Sequence, residues 1–283
     1  MSEPPAENTG PLSEDSQPSL TTTDGVIRRT CRRAKGKLID AGVSGIVELL
    51  ANGDVVKSAW PGEDKDSEED MAREAHVYHL LFKTFGAHKR FVKFLSYDET
   101  DYSITMEYMA NGTLRSYLEA HHDRISTTQR HQWICELAEG MELLHSANIV
   151  HCDFSPRNML LDETLGVKVA DFGCVSINGS KSSAGGSVRF YPPRLQTREL
   201  IEPEDDLFAL GSSIYEVVTG KPPYVDLETE QIQCLYRLDQ FPDLAGLDFS
   251  DIIRDCWLLR AQSARHVHQR LLKVISPELG LKV

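Results

Sequence analysis

No stretch of this 283-residue chain approaches the roughly 18 consecutive apolar residues a helix needs to cross a bilayer, so no membrane-spanning segment is expected. Paired cysteine motifs are missing too: Cys31, Cys135, Cys152, Cys174, Cys234 and Cys256 include no C-x-x-C. The opening M-S-E-P-P-A-E-N has neither the basic nor the apolar region of a signal peptide. Those absences imply reduced thiols and an intracellular protein, in the cytoplasm or nucleus. Positive charge is scarce. With 30 Lys and Arg against 43 Asp and Glu the net charge is −13, which argues against broad nucleic-acid binding and favours cationic peptide partners. His76 and His79 stand three apart but have no third ligand, so they are expected at the surface rather than on a metal. Nothing speaks to oligomeric state, and a monomer is the default.

Apolar material is ample. Hydrophobic residues make up 41% of the chain, enough at this length for one domain or two packed lobes. The most informative stretch runs from His151 to Gly173, H-C-D-F-S-P-R-N-M-L-L-D-E-T-L-G-V-K-V-A-D-F-G. Residues 159–161 and 167–170 are short apolar runs separated by turn formers, which predicts a β-hairpin. Folding it brings Asn158 beside Asp171, with Asp153 on a short loop five residues ahead of Asn158. Two carboxylates and an amide oxygen then converge, the ligand chemistry of Mg²⁺ bridging phosphates, with one carboxylate left to steer a substrate hydroxyl.

From the start, residues 1–25 hold almost nothing to bury and are expected to be a disordered tail. Arg28, Arg29, Arg32, Arg33, Lys35 and Lys37 follow, read as a solvated strand edge ahead of the first lobe in preference to a docking or nuclear-targeting patch. Asn52-Gly53 predicts a hairpin joining a strand that ends near Leu50 to one starting near Asp54. In V-V-K-S-A, Val55 and Lys57 share one face. The helical pattern around 70–83 places Glu74 in an apolar stripe with Met71, Tyr78 and Leu81, and a charge there needs a partner, for which the chain offers Lys57. Two more strands precede N-G-T-L, a break leading into a helix; from Ser126 Trp133, Leu137, Met141 and Leu144 form a core stripe, and His131 and His145 are read as ordinary helix residues. The glycine- and serine-rich 179–186 looks mobile, a helix is expected from about Asp206 to Gly220, and His266 and His268 are expected to face water.

These landmarks, in this order over roughly residues 26–276, resemble the eukaryotic-type protein kinase family: H-C-D-F-S-P-R-N, D-F-G, D-x-G-x-x-G-x-V with Asp40 in place of the first glycine, and G-S-V-R-F-Y-P-P-R. The short format is similar to stand-alone kinases of filamentous fungi. The resemblance implies an α+β, bilobal fold, with an N-lobe over 26–109 made of a small antiparallel sheet and one helix, a mainly helical C-lobe over 110–276, and a short end at 277–283. It implies ATP and Mg²⁺ as cofactors and a protein substrate, with no role for nucleic acid or membrane. Catalytic roles fall to Asp153 as base, Lys57 held by Glu74 on the phosphates, and Arg157 offsetting transition-state charge. Nucleotide contacts fall to Gly42, Gly45, Val47, Val55, Lys57, Met106, Glu107, Met109 and Leu160, metal binding to Asn158 and Asp171, and support of the catalytic loop to Asp206.

Departures carry information. Cys152 stands where many kinases have an arginine that meets an activation-segment phosphate, which argues against that kind of gating. Ser155 occupies the usual lysine position of Ser/Thr kinases while Arg157 matches the tyrosine-kinase pattern, yet Ser187 is Ser/Thr-like; a Ser/Thr acceptor is favoured. Arg194 and Ala264 replace the two halves of a family ion pair, so Arg194 is expected in water or beside Glu202 or Glu204. Two other readings stay open, a pseudokinase that binds without turnover and a small-molecule phosphotransferase.

Overall fold

A computed structural model of the chain describes residues 19–23, 26–30, 33–42, 45–62, 64–183, 185–193 and 200–279. Strand β5 (Val55–Ser58) is buried at all four positions because it lies mid-sheet, with β4 (Gly45–Leu49) on one side and β7 (Ser103–Met106) on the other. With β3 (Lys37–Gly42) and β6 (Phe94–Asp98) the antiparallel order is β3-β4-β5-β7-β6. The Asn52-Gly53 turn sets the β4–β5 register: Gly53 takes φ 92°, the Leu50 N–H donates to the Asp54 carbonyl at 2.8 Å, and Leu49 faces Val55. Helix α1 (Lys65–Phe85) starts where the Asp64 carboxylate accepts from the Ser67 N–H, and buries Met71, Glu74, Ala75, Tyr78 and Leu81.

Below the sheet the chain is mostly helical: α2 (Leu114–His121), α3 (Thr127–Ser146), α4 (Pro203–Thr219), α5 (Thr229–Arg237), α6 (Ser250–Trp257) and α7 (Ala264–Leu279). The stripe Trp133, Leu137, Met141, Leu144 is fully buried, with α3 packed on α7 and α4 on α6. Two short antiparallel pairs flank the segment that holds Asp153, Asn158 and Asp171: β9 (Met159–Leu161) with β10 (Val167–Val169), and β8 (Ile149–Val150) with β11 (Ser176–Ile177). The expected small antiparallel lobe with one helix and a larger helical lobe is the architecture observed.

Some expectations need correcting. Within the presumed tail, β1 (Ser19–Thr23) pairs with β2 (Val26–Thr30), since threonines, Val26 and Ile27 favour extended backbone. Residues 1–18, Arg32 and Arg194, and so the pairing expected for Arg194, lie outside the described residues. Helix α4 begins three residues before Asp206, because Glu202 and Asp205 form a capping box ahead of Pro203. His268 does not simply face water: it is mostly buried and sits 2.8 Å from Glu142. In the 179–186 stretch residue 184 lies outside the described residues, and the Ser182 hydroxyl donates to the Cys174 carbonyl at 2.6 Å.

Candidate active site

The loop from His151 to Asn158 is held from beneath by one buried carboxylate. Asp206 on α4 accepts from the His151 N–H at 2.7 Å and the Cys152 N–H at 3.0 Å. Cys152 has φ 68°, a left-handed conformation that a non-glycine residue keeps only when its surroundings hold it. His145 Nε2 also lies 3.0 Å from Asp206, so the histidine expected to be an ordinary helix residue is part of this support. His131 likewise is buried and meets Asp248 at 3.1 Å. Neither partner is visible in sequence, because each lies more than 60 residues away along the chain.

Asn158 orients Asp153. Its Nδ2 donates to the Asp153 carbonyl at 2.8 Å and to Asp153 Oδ2 at 2.9 Å, which turns the amide oxygen the other way. The Ala170 N–H donates to the Asn158 carbonyl at 3.0 Å, so the hairpin does bring Asn158 next to Asp171. Arg157 Nη2 sits 2.9 Å from Asp153 Oδ2 on a half-exposed side chain. Asp153 Oδ1 is buried with no hydrogen-bond partner among the described residues. Gly186 lies directly over it, and a Cβ there would come within 2.9 Å of Oδ1.

Lys57 joins the two lobes. Its Nζ lies 2.6 Å from Glu74 on α1 and 2.7 Å from Asp171 after β10. Burial alone would discharge the amine, yet Asp171 and Glu74 outweigh it and raise the lysine well above its usual range. The same burial raises Glu74, only partly offset by Lys57. Asp171 is lowered because Lys57 overcomes its desolvation, and with 40% of its side chain open it stays ionised and reachable. The pair read from the interrupted apolar stripe is present.

The residues expected to face a nucleotide gather around β4, β5 and the strand-to-helix connection. Val47 pairs with Lys57 and Val55 with Met106, and a Thr113–Leu160 bridge brings Leu160 under the same cleft. The Met109 carbonyl accepts from Gly112 and the Glu107 N–H donates to Lys93, which leaves the Glu107 carbonyl and the Met109 N–H without a backbone partner among the described residues. Gly45 needs to be glycine: at φ 154° a Cβ would meet the Ser58 carbonyl oxygen at 2.2 Å. Gly42 offers its carbonyl to Trp60 Nε1 at 2.9 Å, while Asp40 bonds its own neighbour's N–H and stays exposed. Behind Lys57, four rings touch in series: Phe94 to Tyr78 at 5.7 Å, Tyr78 to Phe172 at 5.1 Å, and Phe172 to His151 at 5.7 Å. Only Tyr78's place in the stripe hinted at this stack.

Residues 50–274 match the family model described as protein tyrosine and serine/threonine kinase. The chain belongs to the protein kinase family, as its two lobes and the Lys57, Asp153, Asn158 and Asp171 cluster would lead one to expect. It is 28% identical over 252 residues to mitogen-activated protein kinase kinase kinase 17 of Arabidopsis thaliana, covering 84% of this chain and 67% of that one. It is 31% identical over 230 residues to the cytoplasmic tyrosine-protein kinase BMX of Homo sapiens, covering 76% of this chain but 33% of that one. With the serine/threonine-protein kinase RUNKEL of Arabidopsis thaliana it shares 29% identity over 191 residues, 65% of this chain and 14% of the relative. The relatives thus include both acceptor classes. No helix among the described residues is long and apolar enough to cross a membrane.

Proposed function

We propose that the chain is a catalytically active, ATP-dependent protein kinase of the cell interior, with its domain at 26–276, that phosphorylates a protein hydroxyl, Ser or Thr in preference to Tyr. The observation that carries this reading is Lys57 bonded at once to Glu74 and Asp171, an arrangement that needs both lobes closed on one point. Ser187 favours the Ser/Thr acceptor, while the relatives include both the serine/threonine-protein kinase RUNKEL and the tyrosine-protein kinase BMX.

The residues present fit a Mg²⁺–nucleotide. The Asn158 amide oxygen and the open Asp171 carboxylate are hard oxygen donors of the kind Mg²⁺ takes alongside phosphates. Bound there, Mg²⁺ would neutralise charge on the transferring phosphoryl group. Val47, Val55, Met106 and Leu160 would enclose the base, and the Glu107 carbonyl and Met109 N–H would bond its edge. Gly42 and Gly45 let backbone approach the phosphates, where Lys57 holds a charge. Asp153 is the carboxylate to take the acceptor hydroxyl's proton, while Arg157 can leave its Oδ2 to meet the transferring group.

Incubation of the purified chain with labelled ATP and a mixed peptide array tests this directly. Phosphate should enter Ser/Thr peptides, and Asp153→Ala should lower turnover by about 10²–10⁴-fold. A wild-type chain that binds ATP without incorporation would instead be a scaffold, and an unchanged Asp153→Ala rate would reject the base.

A further inference from the structure

The three residues of the D-F-G turn are each tied to a different residue of helix α1. Asp171 is reached through Lys57 from Glu74, and the Phe172 ring packs against Tyr78 at 5.1 Å. Gly173 is held by Arg73, whose Nη1 donates to its carbonyl at 2.6 Å. The same Nη1 lies 2.8 Å from Asp70, one turn back on the helix and buried. The Ser183 hydroxyl also approaches the Gly173 carbonyl, at 3.5 Å. Residues 70, 73, 74 and 78 share a helix face, so one rigid element grips the turn at three consecutive positions.

The third grip matters because of the backbone. Asp171 has φ 62°, a left-handed conformation that persists only where neighbours impose it. Lys57 restrains the Asp171 side chain alone, whereas Arg73 restrains the peptide two residues on. We propose that Arg73, braced by Asp70, is a positioning residue for phosphoryl transfer: by fixing the Gly173 carbonyl it holds Asp171 in its metal-receiving conformation. The proposal rests on the kinase reading above. Ser182 and Ser183 fold the segment after the turn back onto the Cys174 and Gly173 carbonyls. The turn's own restraint comes from α1, in a chain whose catalytic loop has Cys152 and no arginine beside His151.

Cys174 follows the turn immediately and is half-buried, and burial pushes its thiol up to about 11, so it reports opening of the turn by reacting faster. The full chain and its Arg73→Ala, Arg73→Lys and Asp70→Asn variants are treated with iodoacetamide at fixed pH, and each cysteine is followed by peptide mass spectrometry. ATP affinity is measured in parallel with Mg²⁺ and with EDTA. Arg73→Ala should label Cys174 about tenfold faster, with Cys256 in the helical core unchanged. It should weaken ATP about tenfold with Mg²⁺ and leave the EDTA value alone. Arg73→Lys, which keeps one donor for the carbonyl, should fall between. Equal Cys174 labelling in Arg73→Ala and wild type, or equal losses of affinity with and without Mg²⁺, overturns the proposal. If Arg73→Ala also exposes Cys256, the decision passes to Arg73→Lys and Asp70→Asn, which must speed Cys174 alone or the proposal fails. A wild type that binds no ATP would remove the kinase reading, while the Cys174 rates would still decide whether Arg73 holds the turn.

Discussion

Tyr78 is buried to 3% exposure with its hydroxyl unpaired among the described residues, facing a neighbourhood of Glu74, Asp171 and Glu107. A desolvated hydroxyl without a partner costs about 1–3 kcal/mol. Tyr78→Phe keeps both ring contacts and should raise unfolding stability by that amount, read as a higher urea midpoint with an unchanged slope; a lower midpoint would mean that the hydroxyl has a partner in solution. The residue scale is also where sequence reasoning divided. Lys57 and Glu74 were legible because a charge inside an apolar stripe demands a partner of opposite sign. His145, His131 and His268 were not, since a histidine at the margin of a helical stripe looks the same whether its partner is water or a distant carboxylate.

Helix α4 shows what governs whole elements. It is buried over most of its length, and Gly211 lets α6 approach so closely that an added Cβ would stand 2.6 Å from Cys256 Cβ. Gly211→Ala should therefore destabilise the chain by about 1–3 kcal/mol through overpacking, despite alanine's better helix propensity. Thermal unfolding would show it, and a raised melting temperature would deny the close packing. The helix's end was readable in Gly220, which adopts φ 77° as an αL cap. Its start was missed because Glu202 is an uncommon cap, recognisable only once Asp205 is seen to answer it. The 159–169 hairpin was readable from alternating apolar runs and turn formers, whereas the β8–β11 pairing joins strands of two residues each, too short to leave a pattern.

Across the molecule, burial sorts the thiols. Cys234 is exposed, Cys174 is pushed by burial up to about 11, Cys135 and Cys256 up to about 12, and Cys152 higher still. The thiolate is the reactive form, so at pH 8 a group with a value near 11 is only about one part in a thousand ionised. Alkylation at pH 8 should mark Cys234 first among these five, and raising the pH towards 11 should bring in Cys174 before Cys135 and Cys256. Early labelling of Cys256 at pH 8 would mean that the helical core opens. The lobes themselves are stitched by Arg90, which binds Glu136 at 2.8 Å and the Val167 carbonyl at 2.7 Å, and by the Phe91–Val169 bridge. No composition or spacing announced that stitch.

Local chemistry was enough to settle the alternation of strands and helices, the two hairpins, and the set of carboxylate, amide and amine groups that could serve a phosphate, because each follows from periodicity, turn preference or the cost of burying charge. The grip of α1 on Gly173, the carboxylate of Asp206 under two backbone amides and the idle Oδ1 of Asp153 emerged from the folded chain alone. Each is a meeting of groups separated by tens of residues, and such a meeting is fixed by how the elements pack, which no local pattern encodes.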